Sequence, residues 1–321
     1  MKKPLRGFSK IRHSILRART VAISGHANPD GDSLGSLLAL GLALESLGKK
    51  VYMLCQDEIP MNYRALPGAG RIVKATKKRV DLAIAVDCSV MDLLDKNIPV
   101  FKKAGSILEI DHHEFRRSFG DMRIIDYQAA AVGEQVYFLL KKLNIKISRG
   151  IAENLLTSII VETNLFKLAN VRPVTFKICA DLLKTGINFS QLADRVYGVR
   201  TKESMILSAT CALRAKFLKQ GRIIWSVLRN KDLARVGGKD YETDAIASEM
   251  NSIRGVKISV LFREKDSKTL KVSLRSKSDI NIGRLAQEYK GGGHVDIAGC
   301  DIPNNRKSMM QILSSVKALL K

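Results

Sequence analysis

The sequence has no apolar run approaching the ~18 residues that a membrane span requires. A secretory leader is not expected either, because seven Lys or Arg fall within the first twenty residues and no long hydrophobic region follows them. The expectation is a cytoplasmic protein that uses no membrane. Cysteines are few and scattered (Cys55, Cys88, Cys179, Cys211, Cys300), with no C-x-x-C pair. That argues against a disulfide framework and a zinc knuckle, and leaves them as small buried apolar residues. Acidic residues are short: 31 Asp and Glu stand against 54 Lys and Arg, a net charge of +23. A field of that sign attracts polyanions, above all nucleic acid and nucleotides. It does not say where, since the basic residues are spread over Lys2, Lys3, Arg6, Lys10 and Arg12, over 74–79 and through the tail. Histidines number only five.

At 321 residues the chain is long enough for two domains of ordinary size. A helix is expected over Phe8 to Arg19, and then strand and helix alternate. Val21 to Ser24, Val51 to Leu54, Asp81 to Val86 and Ser106 to Ile110 read as strands, the third a nearly continuous apolar run of the kind buried on both faces of a parallel sheet. Leu34 to Leu47, Ala129 to Leu143 and Ile151 to Ile160 read as helices. This alternation is that of a doubly wound, mostly parallel α/β domain.

The residues after each strand carry the chemistry. Gly25-His-Ala-Asn-Pro-Asp-Gly-Asp-Ser33 follows the first strand, Asp87 ends the third, and Asp111-His112-His113 ends the fourth. Ligands of a parallel open sheet bind outside the carboxyl ends of its strands, so the three groups share one edge. Pro29 and Gly31 break regular structure between His26, Asp30 and Asp32, letting them turn toward one centre. Imidazole plus carboxylate is a ligand set for divalent transition metals. The plainer reading is a polar turn in which Asp32 or Ser33 caps the next helix. Seven acidic or imidazole groups exceed what one ion needs. Two ions about 3.5–4 Å apart, with a bridging carboxylate and a hydroxide between them, are the usual arrangement for phosphate-ester hydrolysis. Asp87, alone on its strand, is the natural bridge.

His26-x-Asn28-Pro29-Asp30-x-Asp32, the isolated Asp87 and Asp111-His112-His113 resemble the first three motifs of the DHH phosphoesterase superfamily. The resemblance implies that His26 and Asp30 bind one metal ion, Asp32 and His112 a second, and Asp87 both. It puts His113 toward the scissile phosphate, with Asp111 and Asn28 as supporting polar groups. The fourth motif departs from the family pattern, an Asp followed by Thr or Ser ahead of a Phe: Glu162 takes the acidic position in Val161-Glu-Thr-Asn-Leu-Phe166. Glutamate is also a hard carboxylate ligand, so Glu162 is assigned to the second ion. The imidazoles favour Mn2+, with Mg2+ as the other ion the site admits.

From Phe189 to Lys219 the pattern is helical and charged, read as a connector over 191–220 between a catalytic domain (1–190) and a smaller α/β domain (221–321). Strands are expected at Arg222 to Leu228, Val256 to Phe262 and Thr269 to Leu274, and helices at Ile282 to Tyr289 and Lys307 to Leu320. Lys290-Gly-Gly-Gly-His294 permits close backbone approach, and its successive N–H groups are suited to an anion-binding nest. Arg275 offers a guanidinium for a phosphate. This half resembles the DHH-associated carboxyl-terminal domain of the oligoribonuclease-like branch, which implies that Arg275, Gly292, Gly293 and His294 hold substrate.

The resemblance implies a two-metal phosphodiesterase and 3′-phosphatase. Its expected substrates are short oligoribonucleotides, linear dinucleotides such as pApA, and 3′-phosphoadenosine 5′-phosphate. Single-stranded nucleic acid and a homodimer are the other partners this reading admits. The alternatives are an inorganic pyrophosphatase or exopolyphosphatase, and a nucleotide- or cyclic-dinucleotide-binding protein whose metal site Glu162 has impaired.

Overall fold

A computed structural model describes residues 7–198, 201–243, 245–277 and 280–320. The chain divides into two compact units, Met1–Val199 and Arg200–Lys321. In the first, helix α1 (Phe8–Arg17) lays Ile11 and Ile15 into the core and leads to strand β1 (Thr20–Ser24). Then follow α2 (Gly31–Glu45), β2 (Lys50–Leu54), β3 (Leu82–Val86), α3 (Ile98–Lys102), β4 (Ile107–Asp111), β5 (Met122–Ile125), α4 (Val132–Lys142), α5 (Arg149–Glu162), α6 (Pro173–Leu183) and α7 (Phe189–Ala193). The five strands form one parallel sheet in the order β2-β1-β3-β4-β5.

Side-chain size decides what covers each face. On β3 the alternate residues Leu82, Ile84 and Val86 join the core shared with α2, α4 and α5, whereas Ala83 and Ala85 face a thinner layer containing Val100 and Phe101 of α3. Helix α2 is apolar nearly all round and buried along most of its length, as a helix enclosed by its neighbours must be. It lies close against α5 because position 35 is glycine: a Cβ there would stand 2.5 Å from the Asn154 carbonyl oxygen.

The strand order reverses at β1, whose neighbours β2 and β3 lie on opposite sides. A crevice opens at such a switch point, beyond the carboxyl ends of the strands. The loops after β1 and β3 flank it.

In the second unit come α8 (Lys202–Leu213), β6 (Lys216–Leu218), β7 (Ile223–Leu228), α9 (Asn230–Val236), α10 (Ile246–Asn251), β8 (Ile258–Glu264), β9 (Thr269–Ser276), α11 (Ile282–Glu288), β10 (Gly292–Gly293), β11 (Ile297–Pro303) and α12 (Arg306–Ala318). The sheet runs β10-β11-β9-β8-β7-β6, with β7 and β8 parallel and the other pairs antiparallel. Ile258, Val260 and Phe262 face the core beneath α11 and α12, and Leu261 faces the other side with α8 and α10.

Residues 191–220 divide between the units. Leu192 and Val196 pack into the first core, and Tyr197 donates its hydroxyl to the Ile160 carbonyl. Leu207 and Cys211 of α8 are buried in the second core with Ile224 and Leu228. Of the apolar residues in the segment read as a connector, Leu192, Val196 and Leu207 are therefore core residues, Met205 and Leu213 are exposed, and Val199 lies outside the described residues. Three more elements escape the sequence pattern: β5 is only four residues long, α6 opens on a proline, and β11 carries a glycine and ends in Pro303, yet it pairs on both sides. Among the described residues no helix is long and apolar enough to cross a membrane.

Gly35→Val is expected to force α2 and α5 apart and destabilise the protein by about 1–3 kcal/mol, the usual cost of overpacking. Urea unfolding monitored by circular dichroism measures it, and an unchanged midpoint would contradict the close approach.

Candidate metal centre

Three loops at the switch point build the site. Gly25 starts the first, and a Cβ there would fall 1.8 Å from the Ser33 hydroxyl, so only glycine lets the chain leave β1 against the start of α2. Asp30 is the N-cap of α2 and accepts from Ser33 N–H at 2.9 Å. Asp32 does not cap its own helix. It reaches across 100 residues of sequence to accept from Val132 N–H at 2.9 Å, at the start of α4, and from the Ser158 hydroxyl of α5 at 2.6 Å. This explains why α4 begins at Val132 and not at Ala129. Asp87 leaves β3 with φ 54°, in the left-handed region that non-glycine residues seldom occupy.

That backbone turn points the Asp87 carboxylate into the centre of the site. Its Oδ2 lies 3.4 Å from His26 Nε2, and its Oδ1 lies 3.8 Å from His112 Nε2. Asp30 Oδ1 completes the first group, 3.9 Å from His26 Nε2. Asp32 Oδ2 and Glu162 Oε1 complete the second, 3.7 and 3.8 Å from His112 Nε2. Metal–ligand bonds of 2.0–2.2 Å put ligand atoms on one ion about 3–3.6 Å apart, so both groups need to contract only slightly.

The imidazoles are aimed as metal ligands are. His26 Nδ1 bonds the Ala27 carbonyl at 2.8 Å, and His112 Nδ1 bonds the Ala129 carbonyl at 3.0 Å. With Nδ1 held by a backbone oxygen, each ring turns Nε2 toward the carboxylates, the nitrogen that a metal ion would take in place of a proton. Four sequence-expected ligands, His26, Asp30, Asp32 and His112, thus gather around Asp87, and Glu162 stands with them at the end of α5. After Thr163 the chain turns sharply: Asn164, Leu165 and Phe166 all have positive φ, closed by Thr163 Oγ1 accepting from Phe166 N–H at 3.1 Å.

His113 differs from the other two. Its Nδ1 bonds Asp111 Oδ1 at 2.7 Å and lies 3.6 Å from Asp87 Oδ1, so its ring is fixed by a carboxylate and not by a carbonyl. Asp111 is in turn held by Arg116, whose Nε donates to Oδ2 at 3.1 Å. The same guanidinium donates to Glu109, a fully buried carboxylate that also accepts from the Phe119 and Gly120 N–H groups. Sequence reading missed Arg116 and Glu109. The alternation of β4 does put Glu109 and Asp111 on the same side of the strand, and an acid on a buried strand calls for a cation.

The donor chemistry of these groups suits divalent metal. Five carboxylates and three imidazoles crowd together in a chain whose net charge is +23, and protons must balance them when metal does not. Burial lowers the proton affinity of His26, but its hydrogen bond to Asp87 and the charges of Asp30 and Asp87 outweigh this and carry its pKa up to about 10. At His113 burial again opposes protonation, and the bond to Asp111 and the charge of Asp87 raise the pKa to about 9. Burial and then the Asp87 charge push Asp32 up to about 7. At Asp87 burial acts against ionisation, yet His26, His113 and His112 hold it below the usual carboxylate range.

The remaining expected residues lie elsewhere. Asn28 is exposed with φ 56°, and its N–H donates to Asp57 Oδ2 at 2.8 Å. In the second unit Arg275 on β9 pairs with Ile297 of β11, and His294 N–H donates to the Ile297 carbonyl at 2.7 Å from the other side. Arg275 and His294 thus occupy one row across the sheet. The glycine run does not form the expected nest, because the N–H groups of Lys290, Gly291 and His294 are engaged by backbone carbonyls and Gly292–Gly293 pairs with Ala298–Gly299.

The DHH family, N-terminal domain, matches residues 20–160, and the DHHA1 domain matches residues 231–321. The chain is 28% identical over 284 residues to the bifunctional oligoribonuclease and PAP phosphatase NrnA of Thermus thermophilus, covering 88% of this chain and 84% of that one. It is 30% identical over 302 residues to protein MG371 of Mycoplasma genitalium, covering 91% and 90%. The crystal structure of an exopolyphosphatase-related protein from Bacteroides fragilis superposes with a TM-score of 0.90 at 23% identity, covering 100% of this chain and 99% of that one. That likeness establishes a shared fold.

Two outcomes are expected. The folded-state pKa values of His26 and His113 lie above the unfolded value, so their stabilising contribution is complete below about pH 6.5 and is lost as pH rises through about 9 to 10. In EDTA the melting temperature should fall between about pH 7 and 10, and saturating Mn2+ should reduce that fall by taking the protons' place. A flat profile in EDTA would contradict the assignment. Separately, Arg116→Ala leaves two buried carboxylates without their cation and should cost about 3–5 kcal/mol in urea unfolding. A loss under about 1 kcal/mol, the range of an exposed pair, would mean that Arg116 does not hold them.

Proposed function

The chain belongs to the DHH family and carries a DHHA1 domain, and from that membership we propose that it is a metal-dependent phosphoesterase that cleaves short oligoribonucleotides and linear dinucleotides to mononucleotides and removes the 3′-phosphate of 3′-phosphoadenosine 5′-phosphate. The observation that carries the proposal is the carboxylate of Asp87. One of its oxygens faces His26 and the other faces His112, and both imidazoles are turned by backbone carbonyls to present Nε2. The name of the Thermus thermophilus relative supports the substrate class.

In this reading His26, Asp30 and Asp87 hold one divalent ion, and Asp32, Asp87, His112 and Glu162 hold the other. Mn2+ is favoured because imidazole nitrogens stand among the oxygen donors, and Mg2+ is the alternative. When bound, such a pair neutralises phosphate charge and supplies a water of lowered pKa. The protein's own groups do the rest. His113 donates to a phosphate oxygen, and Asp111 fixes the plane of its ring. The buried Arg116–Glu109 pair keeps Asp111 from rotating away. Asp32 keeps its position because two helices supply its hydrogen bonds. Arg275, Gly292, Gly293 and His294 are the substrate-side residues of the second unit, which offers a guanidinium and an imidazole across one strand.

The test is a product panel with Mn2+: ribonucleotides of two to five residues, pApA, 3′-phosphoadenosine 5′-phosphate, long single-stranded DNA and tripolyphosphate. Mononucleotides from the short RNAs, and little product from long DNA, are expected. Asp87→Asn should lower turnover by about 100-fold or more, on the scale of losses at metal-site residues, with fewer ions bound per chain. Phosphate from tripolyphosphate alone would overturn the nucleotide assignment, and near-normal turnover in Asp87→Asn would overturn the bridge.

A further inference from the structure

A cleft of about 760 Å³ opens at the opposite edge of the first sheet, against the residues that precede β1, β3 and β4 and the first residue of β5. Its floor includes Ala18, Gly105 and Met122, and its walls carry Lys10, His13, Arg17 and Arg19, with the hydroxyls of Ser14 and Ser106 between them. Lys10, His13, Ser14 and Arg17 recur at helical spacing on α1, whose other face buries Ile11 and Ile15. One side of α1 therefore anchors it in the core and another turns cations into the cleft. The carboxylate that lines the cleft, Asp81, is already engaged: one of its oxygens accepts from Arg19 N–H, Thr20 N–H and the Thr20 hydroxyl at 2.9, 2.8 and 2.9 Å.

Some exposed cations elsewhere sit beside acids, as Lys141 and Lys184 do with Asp181, Arg117 with Asp92, and Lys265 with Asp301. His13, Arg17 and Arg19 form no ion pair with any described residue, and the Lys10 ammonium reaches only the Asp121 carbonyl at 3.4 Å. They converge on one concavity from the helix and from the turn into β1. Lys10, Arg17 and Arg19 are exposed and set three positive charges against the one carboxylate of Asp81, so the concavity attracts an anion.

We propose that this cleft is a second binding site, for a small anion carrying two or more phosphate groups, separate from the metal centre. Guanidinium forks grip phosphate oxygens in pairs, and the hydroxyls add donors of matching sign. The volume is that of a small-molecule site. No aromatic ring other than the His13 imidazole lines it, so the platform on which the bases of single-stranded nucleic acid stack is missing and the phosphates carry the recognition. The site is not an extension of the first. Asp81 and Asp87 lie at opposite ends of β3, about 20 Å apart at the strand rise, with the sheet between them.

The experiment is calorimetric titration of the full chain in EDTA, which silences metal-mediated phosphate binding, with tripolyphosphate, ATP and AMP as probes. Lys10→Gln/Arg17→Gln/Arg19→Gln is compared with a control of equal charge change on an exposed segment, Lys74→Gln/Lys77→Gln/Arg79→Gln. One site per chain is expected for tripolyphosphate and ATP, with AMP weaker. The cleft triple should weaken binding by about tenfold or more, equivalent to 1.4 kcal/mol, and the control by less than about twofold. Tripolyphosphate and ATP binding alike would identify the phosphates as the ligand, and tighter ATP would place the nucleoside in the cleft as well. Unaltered melting and unaltered Mn2+-dependent hydrolysis in the cleft triple would establish that it folds and that the metal centre is a separate matter. Equal weakening in the two triples, an absence of binding, or a preference for long single-stranded RNA at several chains per strand would overturn the proposal.

Discussion

The first unit is arranged around one carboxylate that must serve two sides at once. Asp87 stands at the end of the central strand with left-handed backbone geometry, a conformation that costs a residue with a Cβ about 1–3 kcal/mol unless its surroundings hold it. The surroundings do so here through charge. His26 lies on one oxygen and His112 on the other, and each ring is turned by a carbonyl that lies outside the cluster. Moving Asp87 back by one residue, to the place of Val86, would direct the carboxylate into the apolar core shared with α2, α4 and α5.

The groups behind the cluster are as determined as those within it. Asp32 ties the start of α4 to α2 and α5, and the Glu109–Arg116 pair ties the loop after β4 back to the strand. Both depend on buried charge, which is stable only while every lone pair and proton is matched. The close contact of α2 with α5 at Gly35 and the tight exit from β1 at Gly25 set the spacing at which those matches are made.

Much of this was legible before the fold was known. His26, Asp30, Asp32, Asp87 and the Asp111–His113 triplet follow recognisable strands, and a parallel sheet sends such residues to one edge. What the pattern could not supply was the use of each oxygen. Asp32 looks like the cap of its own helix, and the competing bond to Val132 lies 100 residues away. Arg116 looks like one basic residue among many until Glu109 is seen to be buried. In the second unit β11 reads as a loop because glycine and proline punctuate it, and α8 reads as a connector because its apolar residues form no continuous stripe; tertiary pairing overrides local preference in both. The glycine run near His294 permits a nest, but backbone pairing claims its amides instead.

The long reach of Asp32 also bears on when the site comes into being. The bond between Asp32 and the start of α4, and the approach of Asp32 and Glu162 to His112, join segments far apart in the chain, and contacts of that separation close late because the intervening loop entropy must be overcome first. A nascent or half-folded chain holds the histidines and acids of the first loop without the partners that orient them. The assembled cluster would therefore arrive only with the completed domain, and a partly made chain carries its acids and histidines without the arrangement that groups them.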